Sequence, residues 1–189
     1  MIVYLRLIIL GFGISLIQLV WTLTDPRLKK NYFSYLKEPQ FFKTYFAQIG
    51  LMVPQIVSGV WFPWSLGKFN LPIEIVGLSI FYVGIVLAIW AKFVMKQNWG
   101  VPGQHDTTRQ KQLVTRAPFS FTRNPIYLGL VLLSFGFSLC LRSYFIFLTF
   151  LLFLYFNQVI KKEEKLLRTN FEADYLHYMK QTARWLFFK

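Results

Sequence analysis

Five long apolar stretches constrain this chain more than any other feature of its sequence. They cover about Leu7–Leu23, Phe41–Trp64, Pro72–Met95, Ile126–Leu141 and Ser143–Ile160. A helix needs about 20 predominantly apolar residues to cross the hydrocarbon core of a bilayer. Helices are the default because lipid offers no partner to an unpaired backbone amide. The sequence therefore predicts an all-α, polytopic membrane protein with about five transmembrane helices in a single integral membrane domain, residues 1–189.

The composition agrees with a membrane protein and argues against two other classes. Hydrophobic residues make up 55% of the chain and aromatic residues 20%, which is outside the usual range of soluble domains. The net charge of +13 could indicate nucleic-acid binding, but the basic residues concentrate between the apolar stretches. We therefore predict the lipid bilayer as a partner and no nucleic acid. With one cysteine, Cys140, and two isolated histidines, His105 and His177, we also predict no metal site.

The distribution of basic residues predicts the orientation in the membrane. If all five stretches span, 18 of the 21 Lys and Arg residues fall on the same side, and only Arg6, Lys68 and Arg142 fall on the other. Basic residues are enriched in cytoplasmic segments. The long segment 96–125 and the C-terminal tail 161–189 are therefore predicted to be cytoplasmic.

The last two apolar stretches are predicted to form a tight helical hairpin, because only Arg142 and Ser143 separate them. The tail that follows carries one apolar helical face, with spacings of four, four and three between Leu167, Phe171, Tyr175 and Tyr178. We expect the last helix to continue into the cytoplasm and to lie against the membrane or the preceding loop. The aromatic residues at the end of the tail predict an interfacial anchor, formed by Trp185, Phe187 and Phe188.

The stretch FTRNPIYLG, residues 121–129, stands at the border between a polar segment and an apolar one. Pro125 is tolerated in the first turn of a helix, so a helix is predicted to start there with Asn124 as its N-cap. A helix N-terminus and Arg123 both favour an anionic group. Taken alone, these residues favour a capped helix start with an arginine at the headgroup level. The predicted hairpin, however, brings the border to the same membrane face as Glu163, which raises the weight of a binding site.

Two motifs flank this hairpin and resemble a known superfamily. The chain reads QLVTRAPFSFTRNPIYLG before the hairpin and EEKLLRTNFEADYLHY after it. The first is similar to L-V-T-x-G-P-Y-x-x-x-R-[HN]-P-x-Y-x-G, and the second to E-E-x-x-L followed by F-G-x-x-Y-x-x-Y. These patterns are typical of the isoprenylcysteine carboxyl methyltransferase and phospholipid methyltransferase superfamily. The resemblance covers roughly residues 98–180, and the N-terminal stretches carry no such signature.

The resemblance implies an integral membrane enzyme that uses S-adenosylmethionine. It implies that residues 96–189 form the catalytic, cofactor-binding half, and the apolar stretches predict that residues 1–95 supply N-terminal transmembrane helices. It implies a cofactor site that faces the cytoplasm, formed by Gln104, Lys111, Gln112, Leu113, Val114, Phe119, Asn124, Pro125, Ile126, Tyr127 and Glu163. The catalytic residues that it implies are Arg123, Asn124 and Glu164.

Departures from the family pattern concern the methyl acceptor more than the cofactor. Isoprenylcysteine enzymes place an arginine for the substrate carboxylate four residues before the acidic pair, where this chain has Val159. Asn124 stands where those enzymes have histidine, and Glu172–Ala173 replaces the glycine of the F-G motif. We expect a lipophilic small-molecule or prenylated acceptor, with carboxyl O-methylation of an isoprenylcysteine as the first candidate.

Several alternatives remain open at this stage. Within the superfamily they are a phospholipid N-methyltransferase and a small thiol or amine methyltransferase. Membrane reductases that use a dinucleotide share an R-H-P-like hairpin element and form a second class. A transporter or another protein without enzymatic activity is a weaker alternative, because transporters usually show inverted repeats and none is visible here.

Overall fold

The computed structural model describes residues 3–24, 39–98 and 112–186, and all regular structure within these ranges is helical. The described residues form five α-helices: α1 Val3–Thr24, α2 Pro39–Trp61, α3 Asn70–Met95, α4 Pro125–Leu141 and α5 Phe147–Gln181. Short 3-10 turns lie at Gly67–Phe69, Lys96–Asn98 and Tyr144–Ile146. The all-α class is confirmed, and each of the five apolar stretches corresponds to one α-helix.

Three helical segments among the described residues are long and apolar enough to cross a bilayer. They are Val3–Thr24, Gly67–Met95 and Tyr144–Gln181, while the apolar helices Phe46–Trp61 and Pro125–Leu141 are shorter. These segments fit an integral membrane protein. That all five helices span the bilayer stays a prediction.

The chain divides into two compact units that are not continuous in sequence. The first unit comprises Met1–Tyr82 and Ser134–Leu148, and the second comprises Val83–Leu133 and Thr149–Lys189. This division concerns packing, whereas the predicted N-terminal and catalytic halves concern function and stay a prediction.

A buried cluster of charges joins α1, α3 and the end of α4 in the first unit. Glu74 pairs with Arg6 at 2.7 Å and with Arg142 at 3.0 Å. The side chains of Arg6 and Glu74 are 2% and 3% exposed. Arg6 also donates to the carbonyl oxygen of Cys140, and Arg142 donates to that of Trp64. Charges that are buried this deeply are tolerated only when they are paired.

The turn after α4 is tight, as the predicted hairpin requires. The backbone N–H of Arg142 donates to Leu139, and that of Ser143 donates to Ser138. Arg142 has a φ of 54°, in the left-handed region that favours glycine. An arginine is kept in this conformation by the contacts of its side chain with Glu74 and Trp64.

Glycines allow close approach of α3 and α4 in each unit. A Cβ atom added to Gly136 would lie 2.5 Å from the carbonyl oxygen of Gly77, in the first unit. A Cβ atom added to Gly84 would lie 2.5 Å from the carbonyl oxygen of Gly129, in the second unit. Small residues at such positions let helix backbones pack directly against one another in membranes.

The C-terminal part of α5 packs against the loop before α4, within the second unit. Tyr175 and Tyr178 are buried, which confirms the predicted apolar face at these two positions. The hydroxyl of Tyr178 donates to the carbonyl oxygen of Phe119 at 2.6 Å. The last helix was predicted to lie against the membrane or the preceding loop, and it does contact the loop.

Trp185 does not form the predicted interfacial anchor. It is 6% exposed and its ring lies 4.9 Å from that of Phe153, measured between centroids. An aromatic residue near the end of a tail suits an anchor or a core equally well, and here packing against α5 buries it. Phe187 and Phe188 lie outside the described residues.

A kink interrupts α5 at Glu172, where φ is 41° and ψ is −116°. Side chains with a Cβ atom rarely adopt this conformation, whereas glycine does so readily. The position is the one at which the family motif has glycine. Glutamate at this position therefore adopts a backbone conformation that is strained for a residue with a Cβ atom.

Candidate active site

Two adjacent carboxylates on α5 face different partners in the second unit. Successive residues of a helix are about 100° apart around its axis, so Glu163 and Glu164 project in different directions. Glu163 accepts a hydrogen bond from the hydroxyl of Tyr127 at 2.6 Å and is half-buried. Glu164 is buried between two arginines. The acidic pair of the motif thus has one member at a half-buried position and one inside the protein.

The buried carboxylate of Glu164 is bound by both guanidinium groups. Its Oε1 atom accepts from Arg123 Nη2 at 2.8 Å and from Arg123 Nε at 3.1 Å. Its Oε2 atom accepts from Arg184 Nη2 at 2.6 Å and from Arg184 Nε at 3.2 Å. Hydrogen bonding to Glu164 raises the pKa of Arg184 above its ordinary value, which keeps that side chain charged.

Arg123 directs its remaining donors at the backbone of the last turn of α5 and of the residues that follow it. Its Nη1 atom donates to the carbonyl oxygens of Met179 and Thr182. Its backbone N–H donates to Ala183 at 2.9 Å. Nε, Nη1 and Nη2 of the guanidinium therefore all bind protein acceptors. These contacts favour a positioning role for Arg123 and Glu164, and the predicted catalytic role stays a prediction.

The start of α4 lies where the sequence predicts it. The helix begins at Pro125, and the carbonyl oxygen of Asn124 accepts the backbone N–H of Leu128 at 3.0 Å. The side-chain amide of Asn124 donates to the carbonyl oxygen of Arg184 at 3.1 Å. The hydroxyl of Thr122 donates to the same oxygen at 2.9 Å. The predicted catalytic residue Asn124 is thus tied to the segment that follows α5.

The other predicted site residues fall into three groups. Four are buried beside the start of α4, namely Phe119, Pro125, Ile126 and Tyr127. Three lie in the segment before them, with Gln112 exposed and Leu113 and Val114 half-buried, which does not distinguish them from ordinary loop residues. Gln104 and Lys111 lie outside the described residues.

The ring of Tyr127 joins the site to an apolar cluster. It lies 5.0 Å from the ring of Phe156, measured between centroids. The cluster has five buried members, Tyr127, Phe156, Val159, Ile160 and Trp185. The phenol therefore has an apolar environment around its ring and a carboxylate at its hydroxyl, which fixes its orientation.

Sequence reasoning missed the residues after α5 that complete the site. Thr182, Ala183 and Arg184 contact the border motif through their carbonyl oxygens, and the side chain of Arg184 binds Glu164. A carbonyl oxygen that accepts a hydrogen bond has no signature in a sequence. Arg184 is one basic residue in a basic tail, so no local pattern singles it out.

The profile of the phospholipid methyltransferase family matches residues 72–174, which is more than half of the chain. The chain belongs to the phospholipid methyltransferase family. The match includes the border motif and both members of the acidic pair, and it confirms the resemblance to the superfamily. Comparison with curated proteins and with solved structures finds no significant match. The protein is thus a membrane member of a methyltransferase family.

Proposed function

We propose that this protein transfers a methyl group from S-adenosylmethionine to a lipophilic acceptor in the membrane. The observation that carries the proposal is the contact between Tyr127 and Glu163, which joins the two motifs of the family across the hairpin. Each residue is in a part of the chain that the family profile matches. The apolar helices fit a protein that lies in a bilayer, where a lipophilic acceptor could reach the site laterally.

The chemistry of these side chains fits the proposed cofactor. S-adenosylmethionine has ribose hydroxyls and an ammonium group, which suit a half-buried carboxylate such as Glu163. Its carboxylate suits the start of α4, because a helix N-terminus favours negative charge. When bound, the cofactor supplies a methyl group that is already activated as a sulfonium. The protein has to orient the two reactants, and this requires positioning more than acid–base catalysis.

The buried cluster around Glu164 holds the backbone segments that carry this site. Arg123 binds Glu164 with its side chain, and Asn124, the next residue, immediately precedes the first residue of α4. Because Glu163 and Glu164 are neighbours in α5, the pairing also restrains the backbone that carries Glu163. We propose that Arg123 and Glu164 position the site and that Glu163, Tyr127 and the start of α4 contact the cofactor.

Among the acceptors, we propose an amine-bearing lipid first. Val159 stands where isoprenylcysteine enzymes hold an arginine for the substrate carboxylate, and here it is 5% exposed within the apolar cluster. That position offers no cation to a carboxylate. The family profile, by its name, also favours a phospholipid. The carboxylate of a prenylated cysteine is the second candidate, because the two motifs that flank the hairpin are shared across the superfamily.

Cofactor binding tests the proposal directly. Calorimetry on the purified protein in detergent should detect binding of S-adenosylmethionine. Glu163→Ala and Tyr127→Phe should weaken it, because they remove the carboxylate and the hydroxyl that orients it. Arg168→Ala is a matched control, since Arg168 is exposed on the same helix. A folded protein that shows no cofactor binding would refute the proposed function.

The pH dependence of methyl transfer separates the two acceptors. An amine attacks only as the free base, so its rate should rise about tenfold per pH unit below an amine pKa of about 10. A carboxylate is already ionised well below neutral pH and should give a flat profile. Transfer of tritiated methyl groups into an amine-bearing phospholipid and into a prenylcysteine analogue should be followed from about pH 6 to 9.

We further propose that all five helices span and that the site faces the cytoplasm. The charge asymmetry between the two sets of connecting segments supports this orientation. A Cys140→Ala background allows single cysteines to be labelled from either side of a sealed vesicle. Cysteines at Gln112 and Lys68 should react from opposite sides, and equal labelling from one side would contradict the topology.

A further inference from the structure

The segment after α5, residues 182–185, closes over the border motif and is called the C-terminal clamp here. Three successive carbonyl oxygens of the clamp accept hydrogen bonds from the motif. Thr182 accepts from the Arg123 side chain, Ala183 from the Arg123 backbone, and Arg184 from Asn124 and Thr122. Trp185 then fills the apolar cluster that contains Tyr127. The clamp is therefore bound along its whole length to the residues that carry the proposed site.

We propose that Arg184 is a positioning residue for the methyl transfer proposed above, on which this inference rests. Arg184 holds Oε2 of Glu164 while Arg123 holds Oε1, so the carboxylate is bound from both sides. A carboxylate held from both sides cannot rotate freely about its terminal bond. The pairing fixes this part of α5, and with it the neighbouring Glu163 against the hydroxyl of Tyr127.

The two arginines differ in how far they are shielded from water. The side chain of Arg123 is 4% exposed, whereas that of Arg184 is 26% exposed. Arg123 also supports the backbone after α5, as described above. Arg184 is thus the outer member of the cluster, and its side chain can be shortened at a lower cost to folding. This makes it the better residue for a test of positioning.

Arg184 lies outside the segment that the family profile matches. The family profile ends at residue 174, ten residues before Arg184. The kink at Glu172 and the end of α5 at Gln181 lie between Glu164 and Arg184 and shape the path of the chain back to the acidic pair. The clamp is therefore a feature of this chain that the matched segment does not include.

A double-mutant cycle on cofactor affinity tests the inference. Arg184→Ala should weaken S-adenosylmethionine binding about tenfold, which is within the range of couplings between contacting residues. Arg184→Lys should recover part of the affinity, because lysine keeps the charge but not the two-point geometry. In a Tyr127→Phe background, where Glu163 has lost its partner hydroxyl, the effect of Arg184→Ala should shrink to less than about threefold.

The possible outcomes distinguish the positioning role of Arg184 from the proposed function. If wild-type protein binds the cofactor and Arg184→Ala binds equally well, the positioning role is refuted and the proposed function stands. An equal loss in the wild-type and Tyr127→Phe backgrounds would show a general structural effect and would also refute it. No binding by folded wild-type protein would refute both proposals. Arg168→Ala is the control, and Arg184→Lys replaces Arg184→Ala if the alanine variant does not fold.

Discussion

Among the described residues, each unit contains a buried glutamate between two arginines, and the two clusters differ in what lies beside them. In the first unit, Glu74 with Arg6 and Arg142 joins helix backbones and a turn. In the second, Glu164 with Arg123 and Arg184 adjoins a second carboxylate that is half-buried. The same charge arrangement can therefore serve packing in one place and support a candidate site in another.

The neighbours of each glutamate distinguish these roles. Glu74 is followed by Ile75, which is exposed on the surface of an apolar helix, as expected for a residue in contact with lipid. Glu164 is preceded by Glu163, which accepts a hydrogen bond from Tyr127. A buried ion pair is by itself weak evidence for function. The second carboxylate beside Glu164 is the feature that singles out the second unit.

Removing the central carboxylates should have the largest effect and should separate the clusters. Glu74→Ala leaves Arg6 and Arg142 without their shared counter-charge, which should cost about 3–5 kcal/mol. At about 2–4 °C per kcal/mol this lowers Tm by roughly 6–20 °C. Glu164→Ala should destabilise similarly and also weaken cofactor binding.

Cofactor affinity is the measurement that separates these two variants. Thermal unfolding in detergent and calorimetry on the folded fraction should show normal cofactor affinity for Glu74→Ala. Ser79→Ala is a suitable control, because Ser79 is exposed on the same helix as Glu74. Reduced cofactor affinity of folded Glu74→Ala would remove the distinction between the two units.

Arg142→Gly should be the next largest effect. Glycine would relieve the left-handed backbone, which costs other residues about 1–2 kcal/mol, but it would break the pairing with Glu74. Because breaking a buried pair costs about 3–5 kcal/mol, the net loss should be about 2 kcal/mol. Denaturation of the purified protein measures it, and a more stable Arg142→Gly variant would show that the first cluster contributes little to packing.

Alanine at the helix contacts tests whether both units depend on close backbone packing. Gly136→Ala in the first unit and Gly84→Ala in the second should each cost about 1–3 kcal/mol, because the added methyl group meets backbone atoms. Gly11→Ala is the matched control in α1, where the added atom has no neighbour within 4 Å. The control should gain up to about 1 kcal/mol from helix propensity. Similar Tm values for all three variants would contradict the packing described here.

Glu172→Gly should give the smallest effect, with the opposite sign to Arg142→Gly. Both residues have positive φ, but the side chain of Glu172 is exposed. Relief of the backbone should therefore stabilise the protein by about 1 kcal/mol, which is about 2–4 °C in Tm. Glu172→Ala, which keeps a Cβ atom at the same backbone angles, should not show the gain. A lower Tm for Glu172→Gly would mean that the glutamate side chain supports the kink.

Local patterns predicted much of the fold and part of the site. The start of α4 at Pro125 follows from the missing amide hydrogen of proline, and the hairpin follows from the two residues between apolar stretches. The burial of Tyr175 and Tyr178 follows from helical spacing. Trp185 was predicted wrongly, because an aromatic residue in a tail does not indicate whether protein or membrane will cover it.

The amino-acid sequence by itself determined the helices, their apolar character and the two motifs of a methyltransferase family. Helices and motifs depend on residue type and spacing along one segment. Backbone sterics and the apolar bilayer favour a helix for such a segment. The tertiary structure alone decided that Glu164 is sealed between Arg123 and Arg184 while Glu163 meets Tyr127. Residue type and spacing do not predict these contacts, since ion pairs and hydrogen bonds form between groups that only chain folding brings together.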